Sequence, residues 1–436
     1  MELTDSMSDS AFTGRNALKQ RIQERLLARL DFSAMSLLDP IMLRAQLAML
    51  VMQILEEDGA AFSDTDREEV INDVMNEILG LGPLEPLLQD EEVSDILVNT
   101  ATRIYVERAG KLSLSPSRFR DNRHLRDVID KIVARVGRRI DESSPMVDAR
   151  LEDGSRVNAI IPPLALDGPI VSIRKFCRER LQLEHLVAGG ALTPEIGEML
   201  KAMVCGRLNI LIAGGTGCGK TTMLNLLSGF IPAEERIVTI EDAAELQLRQ
   251  DHVVRLETRP SNVEGKGEIT QRDLVRNSLR MRPDRIVLGE VRGPEALDML
   301  QAMNTGHDGS LATIHANSAR DAVTRIETMV AMAGLNLPVH MLRHYVASAL
   351  DVIVHLSRLS DGTRKLMSVQ EVVGMEQDVV VLQEIFRFEQ TGLDESRRVR
   401  GRFLAAGVRP HFMTRLDALG IAVPPDLFDP NRTREV

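Results

Sequence analysis

The sequence predicts an α/β protein in which a helical bundle and a smaller α+β domain precede a larger domain of alternating strands and helices. The chain has 436 residues, enough for two to three domains at roughly 150 residues each. Apolar residues make up 44% of it and charged residues 27%, values typical of packed globular domains. The hydrophobic period changes along the chain, from a helical repeat to strand alternation and then to short apolar strands between helices.

Charge and cysteine content exclude some classes of function. The chain carries 53 basic and 64 acidic residues, a net charge of -11, which argues against a protein that coats nucleic acid, so we expect no nucleic-acid partner. Cys177, Cys205 and Cys218 show neither C-x-x-C nor zinc-site spacing, which fits a reducing compartment. The amino-terminal residues lack a signal-peptide pattern, and the apolar run Leu47–Leu55 is too short to cross a bilayer. We therefore expect a cytoplasmic protein that reaches a membrane only through partners.

Residues 16–82 predict the helical bundle, after residues 1–15, which are polar and expected to be disordered. A first helix carries apolar residues four apart, and Asp39-Pro40 marks the start of a second. A third begins near Thr65, where Glu68 completes a capping box, and Gly80 ends it. Nothing in this bundle predicts catalysis.

Residues 90–177 predict the α+β domain. Short strands are expected at residues 95–98, 104–106, 157–161 and 170–173, with a helix over 122–136. Arg150 and Arg156 flank a Glu-Asp-Gly turn, and Arg174 follows in the segment SIRKF. Taken alone, arginines beside a turn are usually solvated.

Residues 178–190 are expected to be a linker, 191–390 the larger domain and 391–436 a carboxyl-terminal tail. In the larger domain, apolar strands alternate with helical stretches, which predicts parallel β/α architecture. The tail holds a basic cluster at Arg397–Arg402, which is consistent with a solvated surface.

The sequence GGTGCGKT, residues 214–221, fits the phosphate-loop pattern G-x-x-x-x-G-K-[ST]. A buried-strand pattern at 208–213 precedes it and a helical pattern at 221–227 follows, the setting that such a loop requires. Its glycines let backbone N–H groups point at phosphate oxygens. Lys220 would reach the β- and γ-phosphates of a bound nucleotide, and Thr221 would hold Mg²⁺. The predicted nucleotide-binding residues are Gly214, Gly215, Thr216, Gly217, Cys218, Gly219, Lys220, Thr221 and Thr222.

Two acidic groups follow predicted strands. Glu290 stands just after the apolar run 286–288, where Gly289-Glu290 takes the place of the usual Walker B aspartate. It could orient or deprotonate an attacking water and contact Mg²⁺ through water, or it could cap the next helix. Glu241-Asp242 follows the run 237–240 and could bind metal-bound water or cap a turn. Ligands of parallel sheets gather at such strand ends.

Arg272, Arg276 and Arg280 lie four apart on a predicted helix that begins with a capping box of Thr270 and Asp273. Three guanidinium groups on one face could form a solvated stripe. In a ring of subunits they could instead contact a neighbouring subunit or reach its nucleotide.

His307 and His315 flank a predicted strand in the segment GHDGSLATIHAN. Side chains that can donate hydrogen bonds at this place could sense a γ-phosphate. A metal pair is less favoured, because no carboxylate–histidine ligand set accompanies them at a familiar spacing.

The segments GGTGCGKTT, TIEDAAEL, RIVLGEVRG and GHDGSLATIHAN occur in this order, and with them the chain resembles the secretion and pilus ATPases of the type II/type IV secretion superfamily. The resemblance covers about residues 90 to 390. Together with ARLEDGSRVNAIIPP and SIRKF, the stretch from ETRPSNVEGKGEITQRD to RIVLGEVRG looks closest to the CpaF-type ATPases of tight-adherence (Tad/Flp) pili.

The resemblance implies a fold and a ligand. It implies a PAS-like amino-terminal domain, a flexible linker and a RecA-like P-loop ATPase domain, with ATP and Mg²⁺ bound between the domains. It implies that Glu290 is the Walker B carboxylate, Glu241 the Asp-box carboxylate, and His307 and His315 the His-box pair. Arg150, Arg156 and Arg174 then match arginines that approach the nucleotide, and Arg280 joins the predicted nucleotide contacts.

The resemblance also implies a working context. It implies a homo-hexameric ring, cytoplasmic and peripheral at the inner membrane, that hydrolyses ATP and acts on inner-membrane platform proteins to assemble or retract a Tad/type IV-like pilus. One alternative is a traffic ATPase of type IV secretion or conjugation. Others are a DNA translocase, which the acidic net charge disfavours, and a nucleotide sensor that binds without hydrolysing.

Overall fold

The structure is a computed structural model. It describes residues 21–22, 24–26, 28–29, 39–57, 64–108, 110–176, 181–261, 266–334, 338–432 and 434–435. The chain divides into two compact units, Met1–Cys177 and Arg178–Val436. The expected disorder of residues 1–15 and the first part of the expected linker, residues 178–180, lie outside the described residues.

The first unit begins with the helices that the apolar periodicity predicts. The described residues between 21 and 29 are helical, and they are followed by α1 (Pro40–Glu57) and α2 (Asp64–Leu79). Ile22 and Leu26 pack into one apolar core with Leu47, Val51 and Val74, because each helix turns one apolar stripe inward. The helix start predicted at Asp39-Pro40 and the end predicted at Gly80 are confirmed. The described part of α2 begins at Asp64, beside residues 61–63, which lie outside the described residues, so the start predicted near Thr65 stays a prediction.

The rest of the first unit is an antiparallel sheet with a helix. A 3₁₀ turn (Gly82–Leu84) and α3 (Glu85–Gln89) lead into it, and α4 (Asn122–Arg135) packs with it. Its strands are β1 (Val93–Thr100), β2 (Arg103–Arg108), β3 (Lys111–Leu114), β4 (Met146–Arg150), β5 (Arg156–Ile160) and β6 (Ile170–Arg174). They follow the order β3-β2-β1-β6-β5-β4, so sequence-distant strands meet at the centre.

The helical bundle and the sheet of the first unit are joined by shared packing. Leu81, Leu84 and Leu87 belong to the core of the sheet and α4. His124 on α4 lies 2.8 Å from the Glu77 carboxylate on α2. The sequence boundary predicted at residue 82 therefore falls inside a packed core.

The second unit is built on a large mixed sheet. Its strands are β7 (Ile210–Gly214), β8 (Ile237–Glu241), β9 (Val253–Glu257), β10 (Arg285–Val291), β11 (Leu311–His315), β12 (Val352–Arg358), β13 (Arg364–Glu376), β14 (Val379–Leu393), β15 (Val399–Ala405) and β16 (Arg434–Glu435). The order is β16-β15-β14-β13-β12-β7-β11-β10-β8-β9. Strands β12, β7, β11, β10, β8 and β9 run parallel, as the alternating pattern predicts.

Helices and loops cover both faces of this sheet. They are α5 (Leu183–Ala188), α6 (Pro194–Cys205), α7 (Lys220–Ser228), α8 (Gln271–Ser278), α9 (Glu295–Asn304), α10 (Ala319–Met332), α11 (Val339–Ala349) and α12 (Met413–Ala418), with a 3₁₀ turn at Pro425–Phe428. One core lies under α6 and α7, and a second lies under α9, α10 and α11. Both faces of the central strands are therefore buried, which explains their continuous apolar runs.

The segment expected to be a tail is part of the sheet. β14 continues to Leu393, and β15 pairs with it in antiparallel register. Phe403 on β15 is fully buried and packs against Phe388, with 5.2 Å between ring centroids. The boundary predicted at residue 390 is therefore not an end of structure, because apolar side chains beyond it complete the core under α6 and α7.

Within the part of the chain that the structure describes, none of the helices combines the length and the apolar character that crossing a bilayer requires.

Candidate functional site

The loop between β7 and α7 has the backbone that a phosphate loop needs. Gly217 and Gly219 have φ values of 69° and 97°, in the left-handed region that favours glycine. A Cβ at Gly214 would lie 2.7 Å from the carbonyl oxygen of Leu356, so a larger residue does not fit there. The loop therefore turns tightly into the amino terminus of α7, where backbone N–H groups and the helix dipole favour an anion.

Lys220 is the first residue of α7 and folds over the loop. Its Nζ donates to the carbonyl oxygens of Gly214 at 3.1 Å and Gly215 at 3.0 Å. Thr221 and Thr222 follow in the first turn of the helix. The nine residues predicted to hold a nucleotide thus lie together on this one loop and helix start.

Cys218 points inward rather than toward a ligand. Its side chain is buried in the core under α6 and α7. Burial raises the pKa of the Cys218 thiol, so the group stays neutral and acts as a packing residue.

Glu241 ends β8 at the same edge of the sheet and is almost completely buried. Its Oε2 accepts hydrogen bonds from the backbone N–H groups of Glu245 at 2.7 Å and Leu246 at 2.9 Å. Its Oε1 is buried without a donor among the described residues. Burial raises the pKa of the Glu241 carboxyl, although the two backbone donors act in the opposite direction. A buried acceptor of this kind calls for a water or a cation.

Glu290 lies within β10, which continues to Val291, three residues beyond the end predicted at Leu288. Its side chain is 23% exposed, and its Oε2 accepts from Arg292 at 2.6 and 3.1 Å. Arg292 also lies 3.5 Å from Asp242. The sequence pattern alone does not identify Arg292 as a site residue, and its position two residues after Glu290 is the one signal that indicates it.

Gly289 makes room for the buried carboxylate. Strands β8 and β10 are neighbours in register, which sets Gly289 beside Glu241. A Cβ on Gly289 would lie 3.0 Å from the Glu241 Cγ, so the Glu241 side chain would have to shift by a few tenths of an ångström to accept a larger residue there. The glycine that replaces an acidic residue at this position therefore allows Glu241 to lie next to Glu290 on the adjacent strand.

A magnesium ion fits this edge of the sheet through few protein ligands. Among the described residues no group of three or more His, Cys, Asp or Glu side chains could form a cage for a metal. Mg²⁺ bound with a nucleotide does not need one, since it takes one or two protein oxygens, phosphate oxygens and waters. The Thr221 hydroxyl and the Glu241 and Glu290 carboxylates are oxygen donors of the required type.

The two histidines lie near opposite ends of the central strand β11. His315 ends β11 in register with Gly214, and the next residue donates its N–H to the Gly214 carbonyl at 3.3 Å. His307 precedes β11, and its backbone N–H donates to the Ala302 carbonyl at 3.3 Å. A five-residue strand spans roughly 16 Å. His307 therefore does not join the loop site of its own unit, which corrects the expectation that the pair acts together.

The arginines on α8 are also separated from the loop. Arg272 Nε donates to the Asp298 carboxylate at 2.8 Å, and Arg276 lies 4.0 Å from the same group. Arg280 lies beyond the end of α8, next to Met281, whose carbonyl accepts from Arg236 just before β8. Arg280 thus lies at the edge where strands begin, opposite the loop. The stripe is anchored to α9 at one end, and its remainder, Arg276 and Arg280, is exposed.

In the first unit, the structure brings the three predicted arginines into one row. Arg150 faces Arg156 across β4 and β5, and Arg156 faces Arg174 across β5 and β6. Arg174 in turn donates to Asp95 on β1 at 3.3 Å. Like charges directly opposite each other destabilise a sheet, and a bound anion would offset that cost.

Comparisons with known proteins show which family the chain resembles. A family model described as "Type II/IV secretion system protein" matches residues 77–407, and one described as "Type II secretion system protein E, N-terminal domain" matches residues 16–79. A Mycobacterium tuberculosis protein named for conjugal transfer is 39% identical over 312 residues, 70% of this chain and 88% of the relative. The type IV secretion system protein VirB11 of Brucella suis is 32% identical over 66% of this chain and 88% of the relative.

Solved structures give weaker matches. The VirB11 ATPase of Brucella suis in complex with sulphate is 31% identical over 66% of this chain and 92% of that chain, with a TM-score of 0.36. The pilus retraction motor PilT with bound ADP is 20% identical over 67% of this chain and 82% of that chain, with a TM-score of 0.48. At these TM-scores, the structural likeness adds nothing to the sequence matches.

The first family model spans well over half of the chain, and it includes the loop, both carboxylates and the strands that carry them. The chain therefore belongs to the type II/IV secretion system protein family.

Proposed function

We propose that the chain is an ATPase that binds ATP with Mg²⁺ at residues 214–222 and hydrolyses the terminal phosphate to drive secretion traffic. The observation that supports this best is the common sheet edge. The loop follows β7, and Glu290 and Glu241 lie on β10 and β8, which run parallel to β7 in the same sheet with β11 between β7 and β10. Phosphate binding and water activation need these groups within one site.

Each residue has a distinct role in this proposal. The N–H groups of the loop and Lys220 neutralise the phosphates, and Glu290, held by Arg292, orients the attacking water or accepts its proton. Glu241 hydrogen-bonds water through its buried Oε1. Mg²⁺ bound at Thr221 would withdraw charge from the β- and γ-phosphates. His315, in register with Gly214, could donate to the γ-phosphate.

The arginine row Arg150–Arg156–Arg174 is proposed as a surface that binds the phosphates of a nucleotide. Three guanidinium groups on adjacent strands suit the several oxygens of a polyphosphate, since each can bind in a bidentate manner. β5 and β6, which carry Arg156 and Arg174, each pair with a strand on both sides, so the backbone under these two arginines needs little ordering when an anion binds.

The relatives point to the apparatus that the ATPase serves. Proteins named for conjugal transfer and for type IV secretion are among the most similar relatives. We therefore propose a traffic ATPase of a type IV secretion or conjugation system, working as a homo-hexamer peripheral to the inner membrane, with a RecA-like second unit and a PAS-like sheet in the first. This replaces a Tad pilus motor as the leading hypothesis.

A Tad pilus motor remains the second candidate. It is supported by the segments that resemble CpaF-type ATPases and by a helical bundle at residues 16–79, which a type II secretion model matches. Deleting the gene in its host separates the two. Loss of substrate or plasmid transfer with pili intact supports the first hypothesis, and loss of surface pili with transfer intact supports the second.

The direct test of the ATPase is a Lys220→Ala variant. We expect it to abolish phosphate release and to weaken ATP binding, because the ammonium group that neutralises the phosphates is gone. Lys201→Ala on α6 is the matched control, since Lys201 is half exposed and lies outside the site. Phosphate release near the wild-type rate from Lys220→Ala would contradict the assignment of the loop.

The same assay separates the remaining alternatives. A wild-type chain that binds ATP tightly but releases no phosphate, even when concentrated with its membrane partners, would be a nucleotide sensor. Strong stimulation of hydrolysis by DNA would instead favour a translocase.

A further inference from the structure

A pair of arginines faces the phosphate loop from the side opposite the carboxylates. Arg358 ends β12 and Arg364 begins β13, and the antiparallel register sets them directly opposite each other. Cβ atoms of such cross-strand pairs are about 5 Å apart, and like charges at this spacing repel. An arrangement of this kind is expected where an anion is to be bound.

Both side chains reach the turn of the loop at its two left-handed glycines. Arg364 Nε donates to the Gly217 carbonyl at 3.1 Å. Arg364 Cδ lies 3.5 Å from where a Cβ on Gly219 would be, and Arg358 Nη1 lies 3.7 Å from the corresponding place on Gly217. Both arginines therefore lie beside the turn of the loop, and a phosphate held by the loop lies within reach of guanidinium groups.

The hairpin that carries the pair is rigid. Asp361 in its turn accepts hydrogen bonds from the Thr363 N–H at 2.9 Å and the Thr363 hydroxyl at 2.7 Å through Oδ1. Its Oδ2 accepts from the Val399 N–H on β15 at 2.8 Å. The turn is thus fastened to the next part of the sheet, and the positions of both arginines are set before a ligand binds, which lowers the entropic cost of binding.

The strand order indicates which part of a bound nucleotide, the terminal phosphate or the remainder, is expected near Arg358 and Arg364. β7 lies between β11 on one side and β12 on the other. Glu290 and Glu241 lie on β10 and β8, beyond β11. If they act on the phosphate that is cleaved, as the proposed function requires, the remainder of the nucleotide is expected on the β12 side, where Arg358 and Arg364 lie.

We propose that Arg358 and Arg364 bind the α-phosphate and the adjoining nucleoside of ATP and of ADP. The inference rests on the proposed ATPase function and adds two specificity residues to it. Because these groups do not change in the transition state, the arginines stabilise substrate, transition state and product to the same extent. They set the affinity for nucleotide without taking part in phosphate cleavage.

The test is to measure KM and kcat for ATP, and the dissociation constant of ADP by calorimetry, for Arg364→Ala and Arg358→Ala. We expect KM for ATP and the ADP dissociation constant to rise together by about tenfold in each variant, as the loss of a charge-assisted hydrogen bond predicts. kcat at saturating ATP should change by less than about twofold, the signature of lost uniform binding.

Two further variants distinguish binding from a structural role. Arg364→Gln keeps a side-chain donor for the Gly217 carbonyl but removes the charge, so it should bind ADP as weakly as Arg364→Ala. Recovery of wild-type affinity by Arg364→Gln would show that the residue only supports the loop and would overturn the proposal. Arg400→Ala, an exposed arginine on β15, is the control for loss of surface charge and should match the wild type.

The outcomes separate this inference from the proposed function. A wild-type chain that turns over ATP while both alanine variants match it in KM and ADP affinity overturns this inference alone. A fall in kcat with unchanged ADP affinity also overturns it, because the arginines would then act on the γ-phosphate. A wild-type chain that binds no nucleotide overturns the proposed function and this inference with it.

Discussion

Two glutamates lie close together at the site, but their surroundings suit them to different tasks. Glu241 is 3% exposed and is held by two backbone N–H groups. Glu290 is 23% exposed, lies at the open edge of the sheet and shares its Oε2 with Arg292. Water can reach Glu290 directly, whereas Glu241 is suited to fixing the position of a water. The more accessible carboxylate is therefore the stronger candidate for the general base.

Glu290→Gln should keep ATP binding and slow hydrolysis by on the order of 10² or more, because the amide cannot accept the proton of the attacking water. Single-turnover phosphate release and ATP affinity, measured on the same preparation, check this. Glu198 forms an exposed ion pair with Lys201 and lies outside the site. The control is therefore Glu198→Gln, which should behave as the wild type. Turnover that survives in Glu290→Gln but is lost in Glu241→Gln would move the role of the base to Glu241.

At the scale of residues, the sequence predicts what is local. The nine residues of the loop are contiguous, so one pattern identifies them all. Arg358 and Arg364 reach the same loop only because β12 lies beside β7, a neighbour relation that no local pattern contains. His307 and His315 show the reverse, since they belong to one short segment but are separated by the length of β11.

At the scale of elements, the helices and parallel strands of the site follow from apolar periodicity, and their limits agree with prediction to within a few residues. The antiparallel part of the sheet does not follow. From the sequence alone, residues 399–405 are predicted to be a basic, solvated tail, because Arg400 and Arg402 alternate with the residues that the structure shows to be buried. Only the neighbouring strand β14 provides the partner that turns this alternation into a half-buried strand.

A buried ion pair fixes the end of β10 that lies opposite Glu290. Arg285 is fully buried, and its Nε donates to Glu235 at 2.6 Å, while Arg207 donates to the same carboxylate at 2.8 Å. Burial acts to raise the pKa of the Glu235 carboxyl, but the hydrogen bonds from Arg285 and Arg207 outweigh it and hold the pKa below its usual value. The charged form of Glu235 is therefore stabilised by folding.

Glu235→Gln should lower the free energy of unfolding by about 3–5 kcal/mol at neutral pH, because it leaves the Arg285 charge buried without its partner. Since the folded pKa of Glu235 is depressed, the unfolded chain binds the proton more readily. The stabilisation is then present above the ordinary glutamate pKa, about 4.3, and is lost as the pH falls through the folded value. Urea unfolding at several pH values should show the gap between wild type and variant narrowing on acidification.

The control for this prediction is again Glu198→Gln, for which the exposed ion pair predicts a change of less than about 1 kcal/mol. A gap between the wild type and Glu235→Gln that stays constant with pH would show that the lost stability comes from packing rather than from the charge.

At the scale of the whole molecule, two predicted site residues, Arg280 and His307, lie far from the phosphate loop of their own chain. Arg280 and His307 lie at the edge of the sheet where strands begin, and the loop lies at the edge where they end. If either residue acts on a nucleotide, that nucleotide must be bound by a second copy of the chain. A ring with head-to-tail contacts provides such an arrangement, since each subunit then presents different faces to its two neighbours.

Assembly should therefore control activity. If Arg280 or His307 acts on the nucleotide of a neighbouring subunit, the site is completed only by association, and phosphate release per chain should rise steeply with protein concentration. Arg280→Ala keeps the loop, and Lys220→Ala keeps Arg280, so each variant alone should be inactive. In an equal mixture whose subunits assemble at random, roughly a quarter of the interfaces combine an intact loop with an intact Arg280. The mixture should therefore regain roughly a quarter of the wild-type rate. Mass photometry on the same samples would show whether activity follows the assembled species. Activity per chain that is independent of concentration, together with no recovery on mixing, would show that each chain carries a complete site and that Arg280 contributes nothing in trans.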